Sequence, residues 1–155
     1  MTKQEKSTVY TVGDSDTRPW GSYTVVAVGA NEDGEEYCEK EIVVNPGHIL
    51  SLQSHEHRRE HWIVRQGVLT VVVDGARLTL QKGQEVRIPK GGLHCMANLG
   101  TTPCIVKEMQ AGLCREGDIT RYMDAYGRGT QEAADPRAKA SITAYLQILA
   151  ELKRV

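Results

Sequence analysis

Residues 47–67 read GHILSLQSHEHRREHWIVRQG, and this stretch is the most informative about both the fold and a binding site. Gln53, His55 and His57 alternate along a predicted strand, so their side chains share one face of it. Glu60 follows a two-arginine break, which can redirect its side chain toward the same point. The stretch therefore predicts that an amide oxygen, one or two imidazoles and a carboxylate converge.

A further ligand can come from a distant strand. His94 follows a glycine-rich loop within residues 83–98, which read GQEVRIPKGGLHCMAN. Imidazole together with oxygen ligands suits a first-row divalent metal, and Zn, Mn, Fe, Co and Ni all stay open. Three ligand types at such spacing favour a metal over hydrogen-bonded polar residues of a barrel. We therefore predict one divalent metal ion as the cofactor.

These two stretches resemble the two motifs of the cupin superfamily. The first motif is Gly, five residues, His-x-His, three or four residues, Glu, six residues, Gly; here Gln53 replaces its first His. The second is Gly, five residues, Pro-x-Gly, two residues, His, three residues, Asn, and residues 83–98 match it without departure. The resemblance implies an all-β cupin double-stranded β-helix, a jelly-roll barrel. It also implies a metal held by Gln53, His55, Glu60 and His94.

A second register is open for the first motif. His55-x-His57 could be the ligand pair, but Glu60 would then follow after only two residues. The spacings from Gly47 and to Gly67 favour Gln53-x-His55. In that register His57 lies on the same face, one step from the metal, where it would support a ligand or contact the substrate.

Stretches that extend beyond the two motifs indicate one family within the cupins. Further stretches are together similar to the C-terminal half of the type II mannose-6-phosphate isomerases, which are often fused to a mannose-1-phosphate guanylyltransferase. They are RPWGSY (18–23), KEIVVNPG (40–47), LSLQSHEHRREHW (50–62) and DAYGR (124–128). The resemblance implies a metal-dependent interconversion of mannose 6-phosphate and fructose 6-phosphate. The nucleotidyltransferase half is not in this sequence, so nucleotide transfer is not expected.

An aldose–ketose isomerase needs a Lewis acid, a base and a cationic site for the phosphate. Lys40 is predicted on the inner face of a strand, where an ammonium needs an anion or a ligand. Lys40 and His57 are therefore the catalytic candidates, and Glu108 is a weaker one. The candidates for phosphate binding are Arg18, Arg58 and Arg128. The structural alternatives are a lysine that reaches solvent at the barrel mouth, and arginines that fix the terminal segments by ion pairs.

Two other classes of function stay open, because one barrel fold hosts many chemistries. One is a cupin dioxygenase-type metalloenzyme on a small molecule, although Gln53 stands where dioxygenases more commonly carry His. The other is a non-catalytic cupin that binds a sugar or metabolite. In each case the predicted partner is a small molecule, and for the isomerase hypothesis it is a sugar or a sugar phosphate. A homodimer is also expected, on the weaker ground of the apolar face of a C-terminal helix.

The charge balance excludes several partners. Nineteen Lys and Arg against 20 Asp and Glu give a net charge of −1, without the basic excess of a nucleic-acid binder or a membrane-surface protein.

No apolar run approaches the roughly 18 residues of a membrane helix, and the N-terminus lacks a signal-peptide pattern. The four cysteines form no C-x-x-C pair. We therefore expect a cytoplasmic protein with reduced thiols.

Short Val-rich segments separated by Gly or Pro turns predict a barrel of about ten strands. Predicted strands include 22–28, 37–44, 49–57, 60–65, 68–73, 76–80, 85–88, 94–98 and 105–110, and residues 112–128 are expected to be irregular. In strand 37–44 the inner face is expected to carry Cys38, Lys40, Ile42 and Val44. From about residue 131, helical spacing is followed by Ile142, Tyr145, Leu146, Leu149 and Leu152. The predicted organisation is an N-terminal arm (1–17), a cupin barrel (18–128) and a C-terminal helical extension (129–155).

Overall fold

The computed structural model describes residues 9–115, 117–127, 130 and 136–153. Within these ranges the chain forms twelve β-strands and one α-helix. The strands are β1 (Ser15–Arg18), β2 (Gly21–Ala30), β3 (Glu36–Val44), β4 (His48–Ile49), β5 (Leu52–Ser54), β6 (Arg58–Gln66), β7 (Leu69–Val73), β8 (Ala76–Leu80), β9 (Glu85–Ile88), β10 (His94–Asn98), β11 (Cys104–Gly112) and β12 (Thr120–Met123), and the helix is α1 (Pro136–Leu152). The predicted all-β class with a C-terminal helix is confirmed. Among the described residues, no helix combines the length and the apolar character that a membrane crossing requires.

The strands form two antiparallel sheets. The first has the order β1-β2-β3-β11-β6-β9, and the second has the order β12-β5-β10-β7-β8, with β4 pairing an end of β10. Strand β11 lies between β3 and β6, which places Glu108 opposite Lys40 on one side and opposite Trp62 on the other. The centre of the first sheet thus brings charged and aromatic side chains from three strands into one row.

Alternation along the strands directs one face of each sheet into a shared core. In β3 the predicted inner residues Cys38, Lys40, Ile42 and Val44 are all buried. The core between the sheets contains Trp62 and Val106 of the first sheet and Met96 of the second. Burial of such side chains is the main favourable contribution to folding.

A second apolar cluster lies between the second sheet and α1. Cys95 of β10 packs there with Tyr145 and Ile148 of the helix. The helix begins at Pro136, and proline is favoured in the first helical turn because its missing N–H is not needed there. The helical stripe predicted from residues 142–152 is confirmed as the packing face, with Leu146 left largely exposed.

The predicted strand 49–57 is wrong as a single strand. Ile49 pairs with Ala97 of β10, and Gln53 pairs with His94 of the same strand. The chain therefore advances four residues from Ile49 to Gln53 while β10 advances only three. The extra residue is a bulge that reverses the side-chain parity. Gln53 consequently faces the core between the sheets, whereas Ile49 faces the helix.

The prediction that residues 112–128 are irregular is also wrong in part. Residues 120–123 form β12, which pairs with β5. Four residues of mixed polarity give no periodic signal that is long enough to identify a strand. At the other end, β1 is an edge strand of the first sheet and pairs with β2.

Candidate metal centre

Three buried side chains from separate segments meet between the two sheets. His55 follows β5, Glu60 lies on β6, and His94 opens β10. One ligand atom from each of them lies within 4.8 Å of the other two. The structure therefore brings together three of the four residues that the cupin resemblance implies as metal ligands.

The hydrogen bonds of the two imidazoles fix which nitrogen faces the centre. His55 Nδ1 lies 2.6 Å from the main-chain oxygen of Asp118, and His94 Nδ1 lies 2.9 Å from that of Gly92. A carbonyl oxygen only accepts, so each Nδ1 donates its proton, and in the neutral ring each Nε2 keeps a lone pair. His55 Nε2 is 2.8 Å and His94 Nε2 is 3.5 Å from Glu60 Oε1. Two imidazole lone pairs thus point at one carboxylate oxygen.

This arrangement fits a bound cation. Within the described part of the chain, no hydrogen-bond donor reaches His94 Nε2 or Glu60 Oε1, although both are buried. Burial lowers the pKa of His55, and the nearby Glu60 carboxylate opposes this only in part, so the imidazole is neutral at pH 7. Burial would raise the pKa of Glu60, but a hydrogen bond with Glu108 holds it well below its usual range. Neutral imidazoles and an ionised carboxylate are the forms that coordinate divalent metals.

Gln53 completes the predicted set from a neighbouring strand. It pairs with His94 across the β5–β10 ladder, and its half-buried side chain lines the same pocket as His55. Its Oε1 accepts a long hydrogen bond of 3.4 Å from Ser51 Oγ. The amide therefore lies beside the cluster, with an oxygen that is weakly engaged by protein groups.

A second layer of buried polar groups holds Glu60 in place. Trp62 Nε1 donates to Glu60 Oε2 at 3.1 Å and to Glu108 Oε1 at 3.2 Å, and Gln110 Nε2 donates to Glu108 Oε2 at 3.2 Å. Burial and the adjacent Glu60 charge raise the pKa of Glu108 well above its usual range. The sequence motifs predicted neither this hydrogen-bonding role of Trp62 nor that of Gln110. The alternation along β11 could have predicted that Gln110 shares the inner face with Glu108.

A pocket of about 710 Å³, including the solvent at its opening, leads to this cluster. Its lining is rich in cations, and Glu108 is the sole carboxyl group among its described lining residues. The cationic residues are Arg18, Lys40, Arg58 and Arg121. Four cationic side chains against one carboxyl group favour an anionic ligand in this pocket. Arg121, on β12, was not predicted, since its strand was not.

Lys40 lies deep in this pocket. It is 6% exposed, and its Nζ lies 3.7 Å from the ring centroid of Tyr10 and 4.8 Å from that of Tyr23. Aromatic faces stabilise an ammonium where water is excluded. The position agrees with the predicted inner face, and Tyr10 shows that the N-terminal segment contributes a wall of the pocket.

The candidate arginines occupy different places. Arg58 is buried against the cluster, with Nη2 3.2 Å from His55 Nε2 and Nη1 donating to the main-chain oxygen of Arg115 at 2.9 Å. Arg18 lines the pocket with its side chain 34% exposed and lies 3.2 Å from Asp16. Arg128 lies outside the described residues.

His57 is not brought into the pocket. Its side chain is 58% exposed, and its Nε2 lies 3.7 Å from the Glu56 carboxylate. The reason is that β5 ends at Ser54, so the alternation that would align His57 with Gln53 does not continue.

Comparison with known proteins gives a consistent assignment. The family described as "Mannose-6-phosphate isomerase C-terminal" matches residues 4–124. The chain is 39% identical over 112 residues to the Escherichia coli K12 protein "Mannose-1-phosphate guanylyltransferase", covering 72% of this chain and 22% of the relative. It is 42% identical over 117 residues to "Alginate biosynthesis protein AlgA" of Pseudomonas aeruginosa, covering 75% and 23%. The chain thus spans less than a quarter of the length of these two curated relatives.

Among solved structures, the chain is similar to the cupin domain of Cnp3 from Schizosaccharomyces pombe. The TM-score is 0.50 at 16% identity, over 58% of this chain and 64% of that one. At this identity the likeness shows the fold alone, and it confirms the predicted cupin barrel.

Proposed function

The chain belongs to the family of mannose-6-phosphate isomerase C-terminal domains, and from this premise we propose that it is a metal-dependent sugar-phosphate isomerase. The reaction would interconvert an aldose and a ketose of the mannose 6-phosphate to fructose 6-phosphate type. The observation that carries the proposal is a buried cluster of two imidazole lone pairs and a carboxylate, adjoining a pocket lined by four cationic side chains.

The cluster supplies the ligands that such a reaction needs. His55, Glu60 and His94 would hold the metal, with the Gln53 amide as a fourth ligand. When bound, a divalent ion supplies Lewis acidity toward the carbonyl and the adjacent hydroxyl of the sugar. Trp62 and Glu108 hold the carboxylate of Glu60 by hydrogen bonds, which keeps it oriented.

We assign Lys40 to the substrate oxygen on which negative charge develops. Its Nζ lies against the two tyrosine rings, and a fixed cation in a buried pocket stabilises an oxyanion without reorganisation. The other catalytic candidate, His57, has no place in this proposal because its side chain lies outside the pocket. Lys40 therefore acts on charge, and the proton carrier between C1 and C2 is left unassigned.

The phosphate would be held by arginines of the pocket. Arg18 and Arg121 are half-buried and line it from β1 and β12. Arg58 is buried against His55, where its charge adds to the field around the bound anion. Guanidinium groups suit phosphate because their planar donors bind two oxygens at once. The expected cytoplasmic location and the homodimer stay predictions.

The test is an isomerase assay on protein reconstituted separately with Mn²⁺, Zn²⁺ or Co²⁺. We expect turnover of mannose 6-phosphate, much weaker turnover of mannose, and no O₂ uptake. Lys40→Met should lower kcat by about 100-fold, the usual effect of removing one oxyanion-stabilising group, with metal affinity retained. The matched control is Lys107→Met. Lys107 lies on β11, forms an ion pair with Glu39 of β3 at 2.7 Å and does not line the pocket.

Three results would overturn the proposal. The first is a lack of turnover with every metal while the sugar phosphate raises the melting temperature, which would indicate a binding protein. The second is O₂ consumption, which would indicate an oxygenase. The third is an equal loss of activity in Lys40→Met and Lys107→Met, which would remove Lys40 from its assigned role.

A further inference from the structure

The turn that carries His55 has no strand pairing of its own. Residues 55–57 connect the end of β5 to the start of β6 and belong to neither strand. Its main-chain groups are instead bonded to two distant loops: the His55 carbonyl accepts from Gly91 N–H at 2.8 Å, and the His57 carbonyl accepts from Leu113 N–H at 2.8 Å. The position of His55 therefore depends on contacts made from outside its own sheet.

One residue of the loop before β12 makes three of these contacts. Asp118 Oδ1 accepts the main-chain N–H of Glu56 at 3.0 Å, and its Oδ2 accepts that of His57 at 2.9 Å. Its main-chain oxygen accepts the Nδ1–H of His55 at 2.6 Å. A single residue thus holds both the backbone of the turn and the ring of the ligand.

The loop around Asp118 is itself fixed. The Asp118 N–H donates to the Arg115 carbonyl at 3.2 Å, and that carbonyl also accepts from Arg58. Arg115 forms an ion pair with Glu36 of β3 at 2.7 Å. These bonds connect the loop to the first sheet, so Asp118 is held against a rigid element.

Gly112, at the end of β11, permits this close approach. A Cβ at this position would lie 2.4 Å from the His57 carbonyl oxygen, and the backbone φ is +123°. Only glycine accepts both the positive φ and the close contact. The segment that leads to Asp118 therefore passes directly against the ligand-bearing turn.

We propose that Asp118 is a positioning residue for the metal centre: it fixes the Nδ1–H tautomer and the orientation of His55 so that Nε2 faces Glu60. Partners of this kind orient a ligand and raise its basicity. The inference rests on the metal-binding part of the proposed function, although the orientation of His55 is a property of the protein alone.

The experiment compares the wild type with Asp118→Ala, Asp118→Asn and a control, Asp14→Ala. The Asp14 carboxylate accepts the Thr11 N–H at 2.8 Å in an exposed turn and does not line the pocket. Two readouts are used: the dissociation constant and visible spectrum of Co²⁺, and the nitrogen NMR signals of the His55 ring in metal-free protein. Thermal stability is recorded for every variant.

Asp118→Ala should weaken Co²⁺ binding by about 10–100-fold, the range typical of losing an outer hydrogen-bond partner, and change the Co²⁺ spectrum. The substitution keeps the main-chain oxygen that accepts the His55 Nδ1–H but removes the two carboxylate bonds that hold residue 118 against the turn. That oxygen should then move away from the ring, and the His55 signals should change from a single Nδ1–H tautomer to a tautomer mixture. Asp118→Asn, which keeps one acceptor oxygen, should give intermediate values. Asp14→Ala should leave both readouts unchanged even if it lowers the melting temperature.

The outcomes separate the two proposals. If the wild type binds no metal, the metal-dependent function fails, and the His55 tautomer in Asp118→Ala still decides the role of Asp118. If the wild type binds Co²⁺ and Asp118→Ala binds it equally, with unchanged His55 signals, the positioning role is refuted. If Asp118→Ala does not fold, the same comparison is made with Asp118→Asn.

Discussion

Strand β10 separates two buried regions that differ in chemistry although both exclude water. His94 points to the candidate metal centre between the sheets, while its neighbour Cys95 points to the apolar space under α1. The helix side also contains buried hydroxyls without hydrogen-bond partners among the described residues, on Ser141 and Tyr145. These hydroxyls are neutral, whereas His94 faces an ionised carboxylate and a second imidazole.

The difference shows which kind of burial marks a functional site. An apolar side chain under the helix contributes stability in proportion to the area it removes from water. A buried ligand atom contributes nothing of this kind, because its lone pair costs free energy until a cation satisfies it. The two sides of β10 should therefore respond to substitution in opposite ways, and the predictions below separate affinity from stability on that basis.

The largest effect is expected for His94→Ala. Loss of an imidazole ligand should weaken binding of Zn²⁺ or Co²⁺ by at least about 1000-fold, beyond the 10–100-fold typical of losing an outer partner. Isothermal titration with the metal measures this directly, and isomerase activity should disappear with it.

His61→Ala is the matched control for that change. His61 is adjacent to Glu60 on β6 but lies on the opposite face, 3.5 Å from Glu85. Its removal should leave metal affinity unchanged. Equal losses in the two variants would contradict the assignment of the centre to the inner face.

A smaller effect, on stability rather than affinity, is expected on the helix side. Ile148 lies on the inner face of α1 and is fully buried. Ile148→Ala should therefore lower the free energy of unfolding by about 3 kcal/mol, through lost burial and the cavity that it leaves. Urea denaturation measures the change. Leu146→Ala, 46% exposed on the same helix, should cost less than about 1 kcal/mol. A drop in metal affinity for Ile148→Ala would show that the two regions are coupled.

The sequence predicted the parts of this structure that follow from regular alternation. The inner face of β3, the helix face on residues 142–152 and the placement of Lys40 in the pocket all rest on a periodic pattern. The resemblance of the two motifs to those of the cupin superfamily then implied that His55, Glu60 and His94 would meet, although they lie on separate segments.

Features that depend on irregular backbone were not predictable in the same way. The bulge between Ile49 and Gln53 changes which residues share a face, and no local pattern identifies it. The end of β5 turns His57 to solvent, although strict alternation placed it beside His55. Asp118 gives no signal at all, because its contacts with residues 55–57 form only when the loop before β12 folds back across the sheet.

The smallest predicted effect concerns the pH dependence of the helix side. Burial raises the pKa of the Cys95 thiol from 9.0 to about 12, so the thiol stays neutral in the folded protein when it ionises in the unfolded chain. A folded-state pKa above the unfolded one contributes stability that is complete below about pH 9 and is lost as the pH rises toward 12. Between pH 8 and pH 10 the wild type should therefore lose about 1 kcal/mol more stability than Cys95→Ala, since the other ionising groups are common to both. Urea unfolding at the two pH values measures this difference. Equal losses of unfolding free energy in the wild type and in Cys95→Ala would mean that α1 does not shield the Cys95 thiol from water.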